Sequence, residues 1–280
     1  MSNIYQEADA KTPFGAIRNH GLLKLQENVL GRDFVVGDVH GQSRDLWAAL
    51  ARVDFDVTRD RLISVGDLID RGPESRHCLE LIYEPWFHAV LGNHEDFFLS
   101  AFIEEDQRAV LGLIQNGGGW ILGEDEGDMK ALAADLANLP LAIELPFKGK
   151  TLGVIHAAVT SGVWGDFDMD ADIWNRRISE KKVRQPMDVP EEANVRGVDA
   201  VVVGHNVLKT ARMLGNTLQL DTGAARGWPL SLWSLEDVAA ALAIHGQAKA
   251  LISEFPVCPG NVNVNPYPDD EDAVGLSMNP

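Results

Sequence analysis

Five short polar clusters carry side chains that could do metal chemistry. They are Gly37-Asp38-Val39-His40-Gly41, Gly66-Asp67-Leu68-Ile69-Asp70-Arg71-Gly72, Gly92-Asn93-His94-Glu95, His156, and Gly204-His205-Asn206. Asp, His and Asn supply oxygen and nitrogen donors of intermediate hardness. With no thiolate among them, the set suits Mn²⁺, Fe or Zn²⁺. One carboxylate can bridge two ions, and two ions about 3.5–4 Å apart can clamp a phosphate and hold a hydroxide for in-line attack. Each cluster alone has a plainer reading. An Asp after a strand commonly caps a helix or turn, a lone His is a core or surface residue, and Gly-Asn-His is an ordinary turn. Their joint placement is what points to a metal site.

That placement follows from the elements that must carry them. Each cluster follows an apolar run: Phe34-Val35-Val36, Leu62-Ile63-Ser64-Val65, His88-Ala89-Val90-Leu91, Leu152-Gly153-Val154-Ile155 and Val201-Val202-Val203. Continuous runs of this kind fit strands buried on both faces. Helical patterns separate several of them. Ser43 is expected to cap a helix with Leu46, Trp47, Leu50 and Val53 on one face. Pro73 opens a second, with Cys78, Leu79 and Ile82 inward. A third runs from about Glu95 through Phe98, Leu99 and Phe102, and a fourth from about Asp128 to Leu139, stopped by Pro140. Alternating strands and helices predict an α/β layer architecture. In open α/β sheets the ligand lies beyond the carboxyl ends of the strands, where all five clusters fall. The neighbouring glycines allow sharp turns and close backbone approach.

Composition bounds the rest. The 280 residues have room for one large α/β domain or two small ones. The expected organisation is an N-terminal extension over 1–30, a catalytic domain over 31–253 and an acidic, Pro/Gly-containing tail over 254–280 that includes Asp269-Asp270-Glu271-Asp272. Cys78 and Cys258 are the two cysteines and read as free thiols of a reducing compartment. No apolar run reaches the ~20 residues of a membrane span, and the N-terminus lacks a secretory pattern, so a cytoplasmic protein is expected. A net charge of −18 and a pI of about 4.7 disfavour nucleic acid and anionic membrane as partners. An anionic phosphate substrate then demands a locally positive site, which bound cations and arginines would supply. His20, His77, His88 and His245 stand outside the clusters and read as structural or exposed. Trp120, in Asn116-Gly117-Gly118-Gly119-Trp120, reads either as part of a lid or as a packed indole after a glycine-rich turn.

Gly-Asp-Val-His-Gly, Gly-Asp-Leu-Ile-Asp-Arg-Gly and Gly-Asn-His-Glu, in this order and roughly 25 residues apart, resemble the three signature blocks of the serine/threonine phosphoprotein phosphatase family of metallophosphoesterases. The likeness covers about residues 33 to 235, through Leu81-Ile82, Pro85-Trp86-Phe87, Asn116 to Trp120, Ile173-Trp174-Asn175-Arg176 and Leu220-Asp221-Thr222-Gly223-Ala224. It implies a calcineurin-like metallophosphoesterase fold, a central β-sandwich of mixed sheets flanked by helices. It implies two divalent ions, Mn²⁺ first, with Fe or Zn as alternatives. Asp38 and His40 would hold one ion, Asn93, His156 and His205 the other, and Asp67 would bridge them. His94 would be the general acid and Asp70 its orienting partner. Arg71 and Arg176 would bind phosphoryl oxygens as forks, with Arg177 the alternative if the register slips by one. The family's nucleophile is a hydroxide bridging the metals, without a phospho-enzyme.

The substrate this implies is a phosphoprotein carrying phosphoserine or phosphothreonine, with phosphotyrosine and small phosphomonoesters such as aryl phosphates also open. Sequences of diadenosine tetraphosphate hydrolases resemble the same blocks and give the alternative reading. Gly204-His205-Asn206-Val207 lacks the second histidine common in the wider superfamily, nucleases included, which favours the protein-phosphatase branch. A non-catalytic binding module is disfavoured because every expected ligand, His94 and Arg71 are present.

Overall fold

The computed structural model describes residues 5–6, 21–176 and 193–247; Arg177, His20, Cys258 and the acidic run 269–272 lie outside the described residues. Two sheets form the centre. The first has four strands in the order β11-β3-β4-β5: β3 (Asp33–Val36), β4 (Arg61–Ser64) and β5 (Phe87–Ala89) run parallel, with β11 (Leu232–Ser234) antiparallel on β3. The second has seven, in the order β1-β2-β6-β7-β8-β10-β9. Its strands are β1 (Tyr5–Gln6), β2 (Leu22–Lys24), β6 (Ala142–Phe147), β7 (Lys150–Ile155), β8 (Ala200–Val203), β9 (Arg212–Leu214) and β10 (Thr217–Gln219). β7, β8 and β10 are mutually parallel and β6 is antiparallel to β7, so both sheets are mixed.

Side chains alternate faces along a strand, and here both faces are buried. Val35, Ile63, Val65 and Val90 pack in one cluster with Ile143, Leu145, Val154, Val202 and Leu218 of the other sheet. Their neighbours Phe34, Val36 and Leu62 pack instead with Leu46, Leu50, Leu79, Phe98 and Leu99 of the helices. Those helices are α1 (Ser43–Arg52), α2 (Ser75–Glu80) and α3 (Asn93–Phe102); α4 (Gln107–Gln115), α5 (Glu126–Leu136), α6 (Met169–Trp174) and α7 (Leu235–Gln247) complete the set. The expected β-sandwich with flanking helices is what forms.

Several local expectations are corrected. Gln42, not Ser43, occupies the N-cap of α1 and makes no side-chain cap bond. Trp47 was expected on the inward face but is 47% exposed. It lies at the flank of the stripe and meets Trp86 edge-on at 5.7 Å. β2 falls in the segment read as an extension, yet it pairs in parallel with β6, Leu22 opposite Ala142, so the seven-stranded sheet continues into it. The strand ends that carry the chemistry belong to both sheets: β3, β4 and β5 from one, β7 and β8 from the other.

Ile63 is fully buried between the sheets. Ile63→Ala is expected to lower the unfolding free energy of chelator-treated protein by about 2–5 kcal/mol. Leu30→Ala, at a side chain 76% exposed, should change it by less than about 0.5 kcal/mol. Urea titration of both variants measures the difference.

Candidate metal and phosphate site

Asp67 is the centre of the site. It sits just past β4 with φ of 51°, a left-handed conformation costly for a non-glycine residue. Its carboxylate is 3% exposed and faces three imidazoles. Oδ2 is 3.5 Å from His40 Nε2 and 3.9 Å from His94 Nε2, while Oδ1 is 3.4 Å from His156 Nε2. Two donor groups therefore share this carboxylate: His40, Asp67 and His94, and Asp67, His156 and His205. Burial opposes its ionisation, but the surrounding histidines outweigh burial and hold it well below the usual carboxylate range.

The second group has the electronic character of a cation site. His156 Nδ1 lies 2.7 Å from the Val65 carbonyl, to which it donates, leaving Nε2 with its lone pair. That lone pair faces Asn93 Oδ1 at 3.0 Å and His205 Nδ1 at 3.2 Å, and the last two are 2.7 Å apart. Acceptors thus converge, and His205 Nε2 is buried with no hydrogen-bond partner. Burial pushes His205 down to about 2 and lowers His156, so both rings are neutral at pH 7. Neutral imidazoles, an amide oxygen and a carboxylate are the donors a divalent ion needs. On His40, Nδ1 lies 2.8 Å from the Ile69 carbonyl and burial lowers its pKa to about 3, which again leaves Nε2 as a lone-pair donor.

Asp38 lies beside these groups. Its two oxygens accept the His205 backbone N–H at 3.1 and 3.0 Å. Burial, and then the carboxylates of Asp221 and Asp67, raise it well above its ordinary value. Asp221 is pushed up to about 6, chiefly by burial. Three buried carboxylates this close repel one another, and bound dications would remove that repulsion. The approach is made by Gly204, where any Cβ would collide with the Asp38 carboxylate. These residues fit a two-metal group on the chemistry of their donors.

His94 is the exception among the histidines. Burial lowers its proton affinity, but Asp67 and the hydrogen bond to Asp70 overcome that and raise its pKa. Its Nδ1 is 2.6 Å from Asp70 Oδ2, and Asp70 is fully buried. Arg71 stands at the mouth, with Nη1 2.7 Å from His40 Nε2 and Nη2 2.9 Å from His94 Nε2. Arg176 is exposed and makes itself felt by lowering the proton affinity of His156 and His205. Its backbone is tied to the site through Asn206, whose amide donates to the Asn175 carbonyl at 2.9 Å.

Three residues stand at the site beyond the candidate ligands and catalytic groups read from the sequence. Glu95 reads from sequence as the end of the Gly-Asn-His-Glu cluster and the start of a helix. Its buried carboxylate accepts the N–H groups of Asp67 and Leu68 at 2.8 Å each and of Gly92 at 3.1 Å. A Glu at the third helical position after Gly92 is half of a capping box, and that was the available signal. Asp221 follows β10 just as His205 follows β8. Trp120 is neither an open lid nor a merely packed ring, because its indole Nε1 donates to Asp70 Oδ1 at 2.8 Å. His77 lies in α2 and His88 in β5, away from the centre.

The comparisons agree with this chemistry. Residues 34–208 match the calcineurin-like phosphoesterase family. Serine/threonine-protein phosphatase 1 of Salmonella typhimurium is 33% identical over 204 residues, 71% of this chain and 89% of that protein. Serine/threonine-protein phosphatase 2 of Escherichia coli is 30% identical over 213 residues, 72% of this chain and 92% of that protein. A crystal structure of a candidate diadenosine tetraphosphatase superposes with a TM-score of 0.58 at 25% identity, covering 76% of this chain and 92% of that one. The chain belongs to the calcineurin-like phosphoesterase family.

Glu95 satisfies three buried donors at once. Glu95→Gln presents an amide N–H₂ to groups that are themselves donors. It is expected to lower stability by about 1–3 kcal/mol, measured by urea unfolding against the wild-type chain.

Proposed function

We propose that this calcineurin-like phosphoesterase is a metal-dependent protein phosphatase that hydrolyses phosphoserine and phosphothreonine esters, and accepts phosphotyrosine and small aryl phosphates. The observation that carries the reading is the division of labour around Asp67. His156, with His205 beside it, lies on the Oδ1 side, and His40 lies on the Oδ2 side next to His94, the one histidine whose Nδ1 is held by a buried carboxylate. Asp38, His40 and Asp67 would hold one divalent ion, and Asp67, Asn93, His156 and His205 a second. Mn²⁺ is the first choice, with Fe or Zn²⁺ as alternatives. Ions bound there would neutralise phosphate charge and lower the pKa of water from 15.7 to roughly 7.

The chain's own residues do the rest. Arg71, whose fork now rests on the Nε2 atoms of His40 and His94, can turn onto phosphoryl oxygens, and Arg176 would join it there. His94, oriented through Nδ1 by Asp70, presents Nε2 as the proton donor to the leaving oxygen. His94 also falls geometrically within a possible ligand group with His40 and Asp67. We assign it to acid catalysis because its Nδ1 is bonded to the buried Asp70 carboxylate, whereas His40 and His156 turn Nδ1 to backbone carbonyls. The buried thiol of Cys78 is free, which supports a reducing, cytoplasmic setting. No helix among the described residues is long and apolar enough to cross a membrane.

A second reading, hydrolysis of a dinucleoside tetraphosphate, is favoured by the structural neighbour of TM-score 0.58. It needs an adenine pocket and a track of cations.

Protein stripped with chelator is expected to lose p-nitrophenyl phosphate hydrolysis and to regain it on Mn²⁺ titration; no activity with any divalent ion would overturn the proposal. Turnover of diadenosine tetraphosphate far above that of a phosphoserine peptide would select the second reading. His94→Asn is expected to lower kcat on a phosphoserine peptide, whose alkoxide leaving group needs a proton, by about 10²–10⁴-fold with metal content unchanged by elemental analysis. Loss of metal instead would make His94 a ligand.

A further inference from the structure

The carboxylate that orients His94 is itself held. Asp70 Oδ2 accepts a hydrogen bond from His94 Nδ1–H at 2.6 Å, and Oδ1 accepts one from the Trp120 indole N–H at 2.8 Å. One N–H on each oxygen fixes the carboxylate plane. Without the second, the group can rotate about its Cβ–Cγ bond and Oδ2 is no longer aimed at the ring. Asp70 is fully buried, so water is not at hand to replace a lost donor.

Trp120 is in turn built into place. Its ring stacks on Phe98 of α3, the helix that carries His94, with centroids 5.8 Å apart and planes 7° from parallel. The glycines before it bring the turn against the Asp70 loop. The Gly117 carbonyl accepts the Arg71 N–H at 3.0 Å, and a Cβ on Gly118 would lie 2.6 Å from Leu113 and 3.0 Å from Asp70 Oδ1. Residues 116–120 and residues 70–71 thus fit each other at the one place where the indole N–H reaches the carboxylate.

We propose that Trp120 is a positioning residue for proton donation. Its indole N–H locks the Asp70 carboxylate, which aims His94 at the leaving group of the substrate. The inference rests on the assignment of His94 as general acid. It predicts a dependence on the leaving group, because an alkoxide needs a proton whereas p-nitrophenolate leaves without one.

Two variants separate the indole's two contacts. Trp120→Phe keeps a ring to stack on Phe98 but has no donor. Trp120→His keeps a ring N–H, superposable on the indole N–H, but loses most of the stacking surface. With Mn²⁺-loaded enzyme, Trp120→Phe is expected to lower kcat on a phosphoserine peptide about tenfold more than on p-nitrophenyl phosphate, with KM unchanged, in the range seen for groups that orient a functional residue. Trp120→His should restore much of that difference. Equal losses on both substrates, or the same loss in both variants, would mean a packing role and overturn the proposal. A readout independent of activity is the downfield proton NMR line of His94 Nδ1–H, expected to broaden or shift upfield in Trp120→Phe. If wild-type protein hydrolyses neither substrate, the functional reading fails, and an unchanged His94 line would then separately sink the positioning role.

Discussion

Burial of the Asp67 carboxylate is the constraint on which this structure depends. A carboxylate removed from water is costly unless paired and hydrogen-bonded. Here Oδ1 faces His156 and Oδ2 faces His40, both kept neutral by burial, with His94 also on the Oδ2 side. With Asp38 and Asp221 also buried beside it, the centre carries more negative charge than its protein neighbours can balance. A fold that keeps such a cluster together must hold it rigidly, and most of the unusual features of the chain do so. Glu95 ties the N–H groups of three residues from two loops, Gly204 lets two loops touch, and the sandwich core beneath keeps the strand ends in register.

Backbone strain tells the same story. Eight described non-glycine residues have positive φ, and five of them are His40, Asp67, Asp70, Arg71 and His205. Each such residue costs of order 1–3 kcal/mol and persists only where the surroundings over-determine it. None of the five could be glycine and still supply its side chain. The strand ends deliver functional atoms inward at the expense of comfortable dihedrals, and the two packed sheets supply the stability that offsets it.

How legible this was from sequence varied with the range of the cause. The parallel strands β3, β4, β5, β7 and β8 and the three motif blocks were readable, because short β-branched runs ending in Gly and a donor residue are local signals, and the family resemblance ordered them. β9, β10 and β11 were not read, being three residues each with pairings set by distant partners. β2 is equally short and owes its existence to β6, more than a hundred residues on. In the site, ligand-type residues were visible by chemical type, whereas Glu95, Asp221 and Trp120 act through partners that only folding supplies. Trp120 meets Asp70 fifty residues away, so neither periodicity nor turn chemistry could tell a lid from a packed ring or from a donor.

One residue type plays different parts here because environment, not identity, sets the proton. His40, His156 and His205 are desolvated beside other histidines and beside arginines, so their rings stay neutral. His94 feels the same desolvation, but the Asp67 carboxylate and the hydrogen bond from its far nitrogen to buried Asp70, a bond the other three lack, together move its affinity for a proton the other way. The separation of roles therefore turns on Asp70. An unsupported Asp70 would be a buried anion free to rotate. Placing a neutral donor, the Trp120 indole, on its second oxygen steadies the anion without adding a charge that would compete for it. An arginine or lysine at position 120 would hold Asp70 more strongly and so weaken its pull on His94, whereas an indole holds its direction and leaves the charge to the imidazole.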